Sequence, residues 1–302
     1  MRRGKSRKLI CYESTAEEHN ALHDLQEVAN PWRALPEPDF NRFPIGTTEL
    51  CLATDKDFIE AYNSGPNRKL IHKVDLTLVP EPFSGPLDAQ LLILTQNPGI
   101  DESTRASCAN PDHRKHLINA VRSPETHSDY LHIGLDTHIS PNNWWWKILR
   151  HLARDAYGKF GVTIDMQERY KASKFPNDLS YEDACAADFL KKKVLVVEYF
   201  PYHSEKYGFP DSKELPSQRY SFYLVNKAIE RSAILIITRA QRKWLSKVPA
   251  VEEYAIKSGN VYTLSSWRRI IITRNNLKGY GGRRMKLTDT EYQELLKKIV
   301  AV

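Results

Sequence analysis

Residues 90–101, Gln-Leu-Leu-Ile-Leu-Thr-Gln-Asn-Pro-Gly-Ile-Asp, decide the fold. The apolar run 91–94 predicts a strand buried on both faces, and Pro98 with Gly99 ends it, because proline has no amide hydrogen for a strand ladder. Asn97 is therefore expected at the carboxyl end of a central strand, where open α/β sheets bind their ligands. An amide held at that point is a candidate for positioning a water molecule or a substrate group.

Three more buried strands are predicted at Val194–Val197, Ile234–Thr238 and Val261–Leu264. Helical patterns separate them, which predicts an α/β protein: a three-layer sandwich with a central, mainly parallel four-stranded sheet. We expect residues 1–85 to form an N-terminal arm with a peripheral helix and strand. Residues 86–302 are expected to form the α/β domain itself.

Outside these strands, three segments carry weaker signals. Alternating apolar residues predict a strand over 71–79, before the paired prolines that follow. The polar segment 101–137 predicts a long loop, and 159–180 an irregular insertion. Cys108, His113 and His116 lie close together in the first of these loops, but their spacing fits no known metal-ligand pattern, which favours a solvated loop.

Composition limits the classes of function. The chain has 44 Lys and Arg against 37 Asp and Glu, a net charge of +7, which favours a polyanionic partner. Its four cysteines lie far apart without a C-x-x-C pair, which favours reduced thiols and predicts no metal and no cofactor. No apolar run has the length of a signal peptide core or of a membrane span, so we expect a cytoplasmic or nucleoid-associated monomer with no membrane contact.

The segment Thr95-Gln-Asn-Pro-Gly99 resembles the first motif of the uracil-DNA glycosylase superfamily. That motif is G-x-N-P-G in the mismatch-specific branch and G-Q-D-P-Y in the uracil-specific branch; Thr95 replaces the glycine of both. Asn-Pro-Gly is also common turn chemistry, so a simple turn is the alternative. A second resemblance is Pro141-Asn-Asn-Trp-Trp-Trp-Lys147, which matches a stretch that opens a helix beside the base pocket in the mismatch-specific branch. Asn143 matches by position, and Trp144 is an additional aromatic residue.

Glu198 follows the strand Val194–Val197 and precedes Tyr-Phe-Pro-Tyr-His203. In the superfamily this strand end carries the residue that recognises the Watson–Crick edge of the extruded base, an asparagine in the uracil-specific branch. An ionised glutamate only accepts hydrogen bonds, so it suits the N4 amine of cytosine and repels O4 of uracil; a protonated one can also donate to cytosine N3. The alternative is that Glu198 pairs with a Lys or Arg and anchors a loop.

The segment after the fourth strand is basic. Trp267 to Lys286 contains seven Lys or Arg and no acid, with aromatic residues and glycines between them. This pattern suits a surface that binds phosphates and displaces a base, although a solvated loop is the alternative. In the superfamily this segment is pushed into the duplex, but its usual His-Pro-Ser or Asn-Pro-Ser pattern is absent here. The DNA-binding candidates are Ser265, Ser266, Trp267, Arg268, Arg269, Arg274, Arg283 and Arg284.

Together these resemblances imply a monofunctional DNA glycosylase that flips a base out of DNA and hydrolyses its N-glycosidic bond. The implied substrate is a modified pyrimidine, such as the glucosylated hydroxymethylcytosine of phage DNA. The catalytic candidates are Asn97 for orienting the water, Asp101 for assisting it and His203 as a donor to the leaving base. For His203 a structural role is the alternative. The base-binding candidates are Gln96 through its main chain, Glu198, Phe200 and Tyr202 by stacking, and Asn143.

Three alternatives remain open at this point. The chain can be a glycosylase for uracil or mismatched thymine in DNA repair. It can also be a DNA-binding module of the same fold without chemistry, which the absent His-Pro-Ser pattern and Thr95 favour. A hydrolase of small nucleotides is the third, and the basic segment disfavours it.

Overall fold

The protein is built around one mixed β-sheet, and its coordinates come from a computed structural model. The structure describes residues 27–36, 49–66, 68–100, 102–126, 143–160, 180–266, 268–281 and 286–300.

The sheet has six strands in the described part of the chain, in the order β1-β3-β2-β4-β5-β6. The four inner strands are parallel, β1 is antiparallel to β3, and β6 is antiparallel to β5. The expected α/β class is confirmed, but the expectation of a mainly parallel four-stranded sheet is wrong. Edge strands of two and three residues are too short to show the alternation by which strands are found in a sequence. The strands are β1 (Phe83–Ser84), β2 (Leu91–Thr95), β3 (Val194–Glu198), β4 (Ile234–Ile237), β5 (Val261–Leu264) and β6 (Leu277–Gly279).

The inner strands are apolar along their whole length because helices cover both faces of the sheet. Leu91 and Ile93 of β2 belong to one buried apolar cluster, and Leu92 and Leu94 belong to the cluster on the opposite face. Successive side chains of a strand point to opposite faces, so an uninterrupted apolar run fits two layers of helices.

The helices in the described ranges divide between the two faces. Helices α4, α5 and α9 contribute to the cluster of Leu91 and Ile93. Helices α1, α3, α6, α7 and α8 contribute to the cluster of Leu92 and Leu94. The helices are α1 (Ala53–Asn63), α2 (Glu102–Cys108), α3 (Pro111–Arg122), α4 (Trp144–Phe160), α5 (Tyr181–Lys193), α6 (Gln218–Glu230), α7 (Gln241–Lys247), α8 (Ala250–Ser258) and α9 (Asp289–Val300).

The segment before β2 packs into the same core as the sheet. Trp32, Leu50 and Ile59 are fully buried and belong to the cluster that contains Leu92. The strand predicted over 71–79 is absent. A single turn of 3-10 helix, Leu70–His72, stands at its start, and the remaining apolar residues wrap the core without a strand ladder.

The long loop predicted over 101–137 is wrong for its first part, which forms α2 and α3. The side chain of Asn110 accepts hydrogen bonds from the amides of Asp112 and His113, and Pro111 occupies the first turn. Asparagine before proline is a known signal for a helix start, and it was present in the sequence. Residues 127–142 and most of the predicted insertion 159–180 lie outside the described residues, as does the predicted helix before Glu27.

Gly85 allows β1 to approach β3 closely. Its φ is +110°, and a Cβ atom at this position would lie 2.1 Å from the carbonyl oxygen of Val194. Any other residue would therefore push the chain away from β3.

No helix in the described ranges has both the length and the apolar character needed to cross a lipid bilayer.

Candidate functional site

The candidate site lies at the carboxyl edge of the sheet. Because β2, β3, β4 and β5 are parallel, their last residues share this edge, and Thr95 is paired directly with Glu198. Neighbouring strands are about 4.8 Å apart, which puts the end of β5 on the order of 10 Å from the end of β2. The structure thus brings the segments of Asn97 and Glu198 side by side, with the segment after β5 two strands from β2.

Asn97 is half-buried and held by the turn that follows β3. Its Nδ2 donates to the hydroxyl oxygen of Ser204 at 3.1 Å and to the carbonyl oxygen of Pro98 at 2.9 Å. The amide of Ser204 also donates to the Pro98 carbonyl oxygen at 3.4 Å. Among the described residues nothing donates to Asn97 Oδ1, so this oxygen is available to accept a hydrogen bond from water.

Glu198 is 5% exposed, and its Oε2 atom is buried without a hydrogen-bond partner among the described residues. Burial raises the pKa of this carboxyl well above its ordinary value, the nearby Glu81 raises it further, and Arg239 opposes the shift. The group therefore keeps its proton at pH values where an exposed glutamate has lost it. A neutral carboxyl donates from one oxygen and accepts at the other.

This environment changes the expected base preference. Cytosine presents an acceptor beside a donor, and uracil presents a donor beside an acceptor. A neutral Glu198 matches either edge, because its proton can sit on either oxygen. Selectivity for cytosine, which was predicted from an ionised Glu198, therefore does not follow from the structure.

His203 is fully buried and has both ring nitrogens engaged. Nδ1 lies 2.9 Å from the carbonyl oxygen of Gly99, and Nε2 lies 2.9 Å from that of Val79 and 3.2 Å from Glu81 Oε1. Burial lowers the pKa of this imidazole, but Glu81 and the two carbonyl oxygens outweigh it, so the pKa is raised overall. All three partners are acceptors, so both nitrogens carry protons. In this conformation neither ring nitrogen of His203 is directed at a ligand, and its contacts are those of a structural histidine, the alternative to the predicted donor role.

Phe200 and Tyr202 are also buried, so their predicted stacking on a base is wrong in this conformation. The Phe200 ring packs on Phe209 with centroids 4.8 Å apart. The Tyr202 hydroxyl donates to Asp55 Oδ2 at 2.9 Å and accepts from the amide of Leu52 at 3.2 Å. Residues after Pro201 turn into the core instead of toward solvent, which the sequence pattern does not distinguish.

Gln96 and Asn143 have structural hydrogen bonds. The Gln96 carbonyl accepts from the amide of Phe200 at 2.8 Å, so this part of its main chain is occupied inside the protein. Asn143 Oδ1 accepts from the amide of Trp146 at 2.8 Å and thereby caps α4. Both residues were expected at the carboxyl edge. The Gln96 carbonyl oxygen and Asn143 Oδ1, however, each accept a hydrogen bond from the protein's own backbone instead of facing a ligand.

Asn276 organises the segment between β5 and β6. Its carbonyl oxygen accepts from the amide of Ser265 at 2.7 Å, and its Oδ1 accepts from that of Ser266 at 3.0 Å. Its Nδ2 donates to the carbonyl oxygens of Arg269 at 2.6 Å and Ile271 at 2.9 Å. The Asn276 side chain therefore fixes the backbone of this connection at Ser266, Arg269 and Ile271.

The arginines of this connection differ in their surroundings. Arg268 and Arg269 are exposed. Arg274 is half-buried and forms an ion pair with Asp289 at the start of α9, so its charge is paired with a carboxylate of the same chain. The other candidates, Asp101, Trp267, Arg283 and Arg284, lie outside the described residues.

Sequence reasoning missed three polar residues of this edge, Glu81, Ser204 and Arg239. Arg239 follows the apolar run of β4 just as Glu198 follows that of β3, so the same strand-end rule would have found it. Glu81 lies between two prolines and gives no such signal.

The cysteine and histidine cluster of the predicted loop is partly buried. Cys108 ends α2, and burial raises the pKa of its thiol to about 12. Within the ranges that the structure describes, no three His, Cys, Asp or Glu side chains come together in a way that would hold a metal ion.

Two surface cavities, of about 640 and 440 Å³, lie away from the strand-end site. They share Arg33 and Glu125, and neither is lined by Asn97 or Glu198. Because Glu198 is buried, a base reaches its carboxyl only after neighbouring segments move.

Comparison with known proteins identifies no relative. No family model, no curated protein and no solved structure matches this chain. The likeness to the uracil-DNA glycosylases therefore rests on the motifs and on the site that they form.

Proposed function

We propose that the protein is a monofunctional DNA glycosylase that extrudes a pyrimidine from DNA and hydrolyses its N-glycosidic bond. The observation that carries this proposal is the placement of Asn97 and Glu198 at the ends of adjacent parallel strands, where burial raises the pKa of the Glu198 carboxyl. A base inside a duplex is not accessible to side chains, so the reaction requires that the base be flipped out.

Asn97 is the residue that orients the attacking water. Its Nδ2 is held by Ser204 and Pro98, which leaves Oδ1 to accept a hydrogen from water. The bond between the sugar C1′ and the base breaks with its electron pair on the base, the water oxygen bonds to C1′, and the proton that this water loses ends on the departing base. Positive charge develops on the sugar in the transition state, so a fixed amide oxygen beside the water stabilises it.

Glu198 is the residue that recognises the base. As a neutral acid it offers one donor and one acceptor side by side, the pattern that pairs with the Watson–Crick edge of a pyrimidine. An asparagine amide offers the same two functions. Glu198 thus fulfils the role of the asparagine that stands at this strand end in the uracil-specific branch.

Duplex DNA is the partner that the charge distribution favours. Arg268 and Arg269 are exposed after β5, and the chain carries a net charge of +7. Each phosphate that such a residue contacts lowers the logarithm of the affinity by about 0.9 per decade of salt concentration.

The substrate class is a pyrimidine, either a modified cytosine of phage DNA or uracil or mismatched thymine, since a protonated Glu198 matches both kinds of base edge. Excision of a phage base would indicate a role in antiviral defence. Excision of uracil or mismatched thymine would indicate DNA repair.

A substrate panel tests the activity. The full chain is incubated with duplexes that carry uracil, a thymine mismatch, hydroxymethylcytosine or its glucosylated form, and alkali then cleaves any abasic sites. Cleavage at one of these bases is expected. Asn97→Ala should lower the rate of excision by about 10²- to 10³-fold, the cost of removing one fixed transition-state contact.

The matched control is Asn226→Ala, a half-exposed asparagine on α6 far from this edge in the chain, which should leave the rate unchanged. Full activity of Asn97→Ala would contradict the mechanism. Wild-type protein that binds DNA but cleaves at none of the bases would indicate a DNA-binding module of the same fold. The internal contacts of His203, Phe200 and Tyr202 favour that second function.

A further inference from the structure

Trp144 opens α4 with an indole ring that is 56% exposed, whereas its neighbours Trp145 and Trp146 are buried. The two buried rings belong to the apolar cluster beneath α4, so they pack in the core. An exposed tryptophan keeps a large apolar area in water, and such an area marks a binding surface when other suitable groups surround it.

The start of α4 borders the connection between β5 and β6. The amide of Ile272 donates to the carbonyl oxygen of Ile148 at 2.9 Å. Ile148 is four residues after Trp144 in the same helix, which is about 6 Å along the axis. Trp144 therefore lies about one helical turn before the residue of α4 that contacts the connection at the carboxyl edge of the sheet.

This part of the connection presents apolar and basic side chains together. Ile271 is 40% exposed, and Arg268 and Arg269 are exposed. The side chain of Asn276 holds the backbone at Arg269 and Ile271 through their carbonyl oxygens. The exposed groups are thus carried by a backbone that is fixed before any partner binds, which lowers the entropic cost of binding.

We propose that Trp144, together with Ile271, Arg268 and Arg269, forms a stacking surface for a base of a DNA strand. This inference rests on the proposed function for its choice of DNA as the partner, but it does not require that any bond be cleaved. The indole ring stacks on the face of an unpaired base, and the two guanidinium groups contact the phosphates on either side.

The chemistry of the surface favours this partner over an apolar one. Nucleic acid supplies both the negative charge that exposed guanidinium groups bind and the flat base that an aromatic ring stacks on. In a duplex with a base missing or flipped out, the orphaned partner base and its neighbours expose the faces that stacking requires.

Binding experiments with the full chain test this surface. The probe is a fluorescently labelled duplex with one stable abasic analogue, compared with the intact duplex, and the affinity is measured by anisotropy. Trp144→Ala should weaken binding to the abasic duplex about tenfold, the order expected for one lost stack, and should leave the salt dependence unchanged. Trp144→Phe should retain binding within about threefold, because it keeps an aromatic face.

The matched control is Ile256→Ala on α8, whose side chain is 80% exposed but lies away from any basic segment in the sequence. It should bind as the wild type does. Circular dichroism of each variant separates loss of binding from loss of fold.

The outcomes of this test and of the excision assay are distinct. If Trp144→Ala binds both duplexes as the wild type does, the stacking surface is wrong even when the wild type excises a base. If the wild type binds and Trp144→Ala does not, the surface stands even when no base is excised. Wild-type protein without measurable affinity for either duplex would overturn the surface.

Discussion

Two regions of the same sheet edge treat their polar and aromatic side chains in opposite ways. At the ends of β2 and β3, Glu198 and His203 are buried, and His203 bonds only to other parts of the protein. At the proposed stacking surface, Trp144 and Arg269 are turned to solvent, and Asn276 fixes the backbone at Arg269. The first region holds its titratable groups at low dielectric, and the second presents its side chains to water.

Under the proposed function, the buried region carries out the chemistry and the exposed region recognises the DNA. Buried groups have shifted pKa values and fixed geometry, so substitutions there should change stability, pH dependence and rate. Exposed groups contribute through stacking and phosphate contact, so substitutions there should change affinity and its dependence on salt.

The largest effect is expected for His203→Leu, which should lower the free energy of unfolding by about 3–5 kcal/mol. The substitution leaves the carbonyl oxygens of Gly99 and of the buried Val79 without their histidine donor and removes the positive charge beside Glu81. Urea unfolding followed by circular dichroism measures the change.

His116→Leu is the control, because this histidine is exposed on α3. It should change the free energy of unfolding by less than about 0.5 kcal/mol. Equal effects of the two substitutions would show that the buried region is not held together by His203.

A smaller change in stability is expected when the pH is varied and the buried groups titrate. His203 has a raised pKa, so its contribution to stability is complete below the ordinary value of 6.5 and is lost as pH rises through the folded value. Glu198 also has a raised pKa, so the folded state loses stability as pH rises from the ordinary 4.5 toward the folded value. The melting temperature should therefore fall between pH 5 and pH 8.

Glu198→Gln separates the two contributions, because glutamine has no proton to lose. Its melting temperature should fall less steeply with pH than that of the wild type, whereas Glu205→Gln, at an exposed position, should follow the wild type. A wild-type melting temperature that rises across this range would contradict the assigned protonation of both residues.

The smallest effect is expected when the exposed arginines are replaced, and it concerns the salt dependence of DNA binding. Replacing both Arg268 and Arg269 by alanine should reduce the slope of log affinity against log salt by about 2, since each lost phosphate contact removes about 0.9. Anisotropy titrations with intact duplex DNA at several salt concentrations measure the slope. Arg242→Ala, on the exposed side of α7, is the control and should leave the slope unchanged.

The sequence predicts the inner part of this fold well because strong local signals determine it. The apolar runs of β2, β3, β4 and β5 are found within a residue or two. Thr288 and Glu291 have the spacing of a capping box in the sequence, and at the start of the last helix the amide of Thr288 donates to Glu291 Oε2 at 2.7 Å. Such signals depend on residues that are close in the chain.

The site is harder to predict because distant residues decide which way its side chains turn. Tyr202 is held in the core by a hydrogen bond to Asp55, and His203 by contacts with Val79 and Glu81. These three partners lie more than a hundred residues earlier in the chain. A run of aromatic residues after a strand is compatible with a ligand pocket or with a core. Only the packing of the N-terminal segment against β3 distinguishes the two.

The two short edge strands have a consequence for the behaviour of the protein in concentrated solution. The segments of the inner strands have the apolar composition of peptides that assemble into fibrils. β1 and β6 close the sheet with only two and three residues, which leaves too few open backbone groups to recruit a strand from another molecule. Gly85, which lets β1 reach β3, thus protects the folded protein from self-association as well as shaping its sheet.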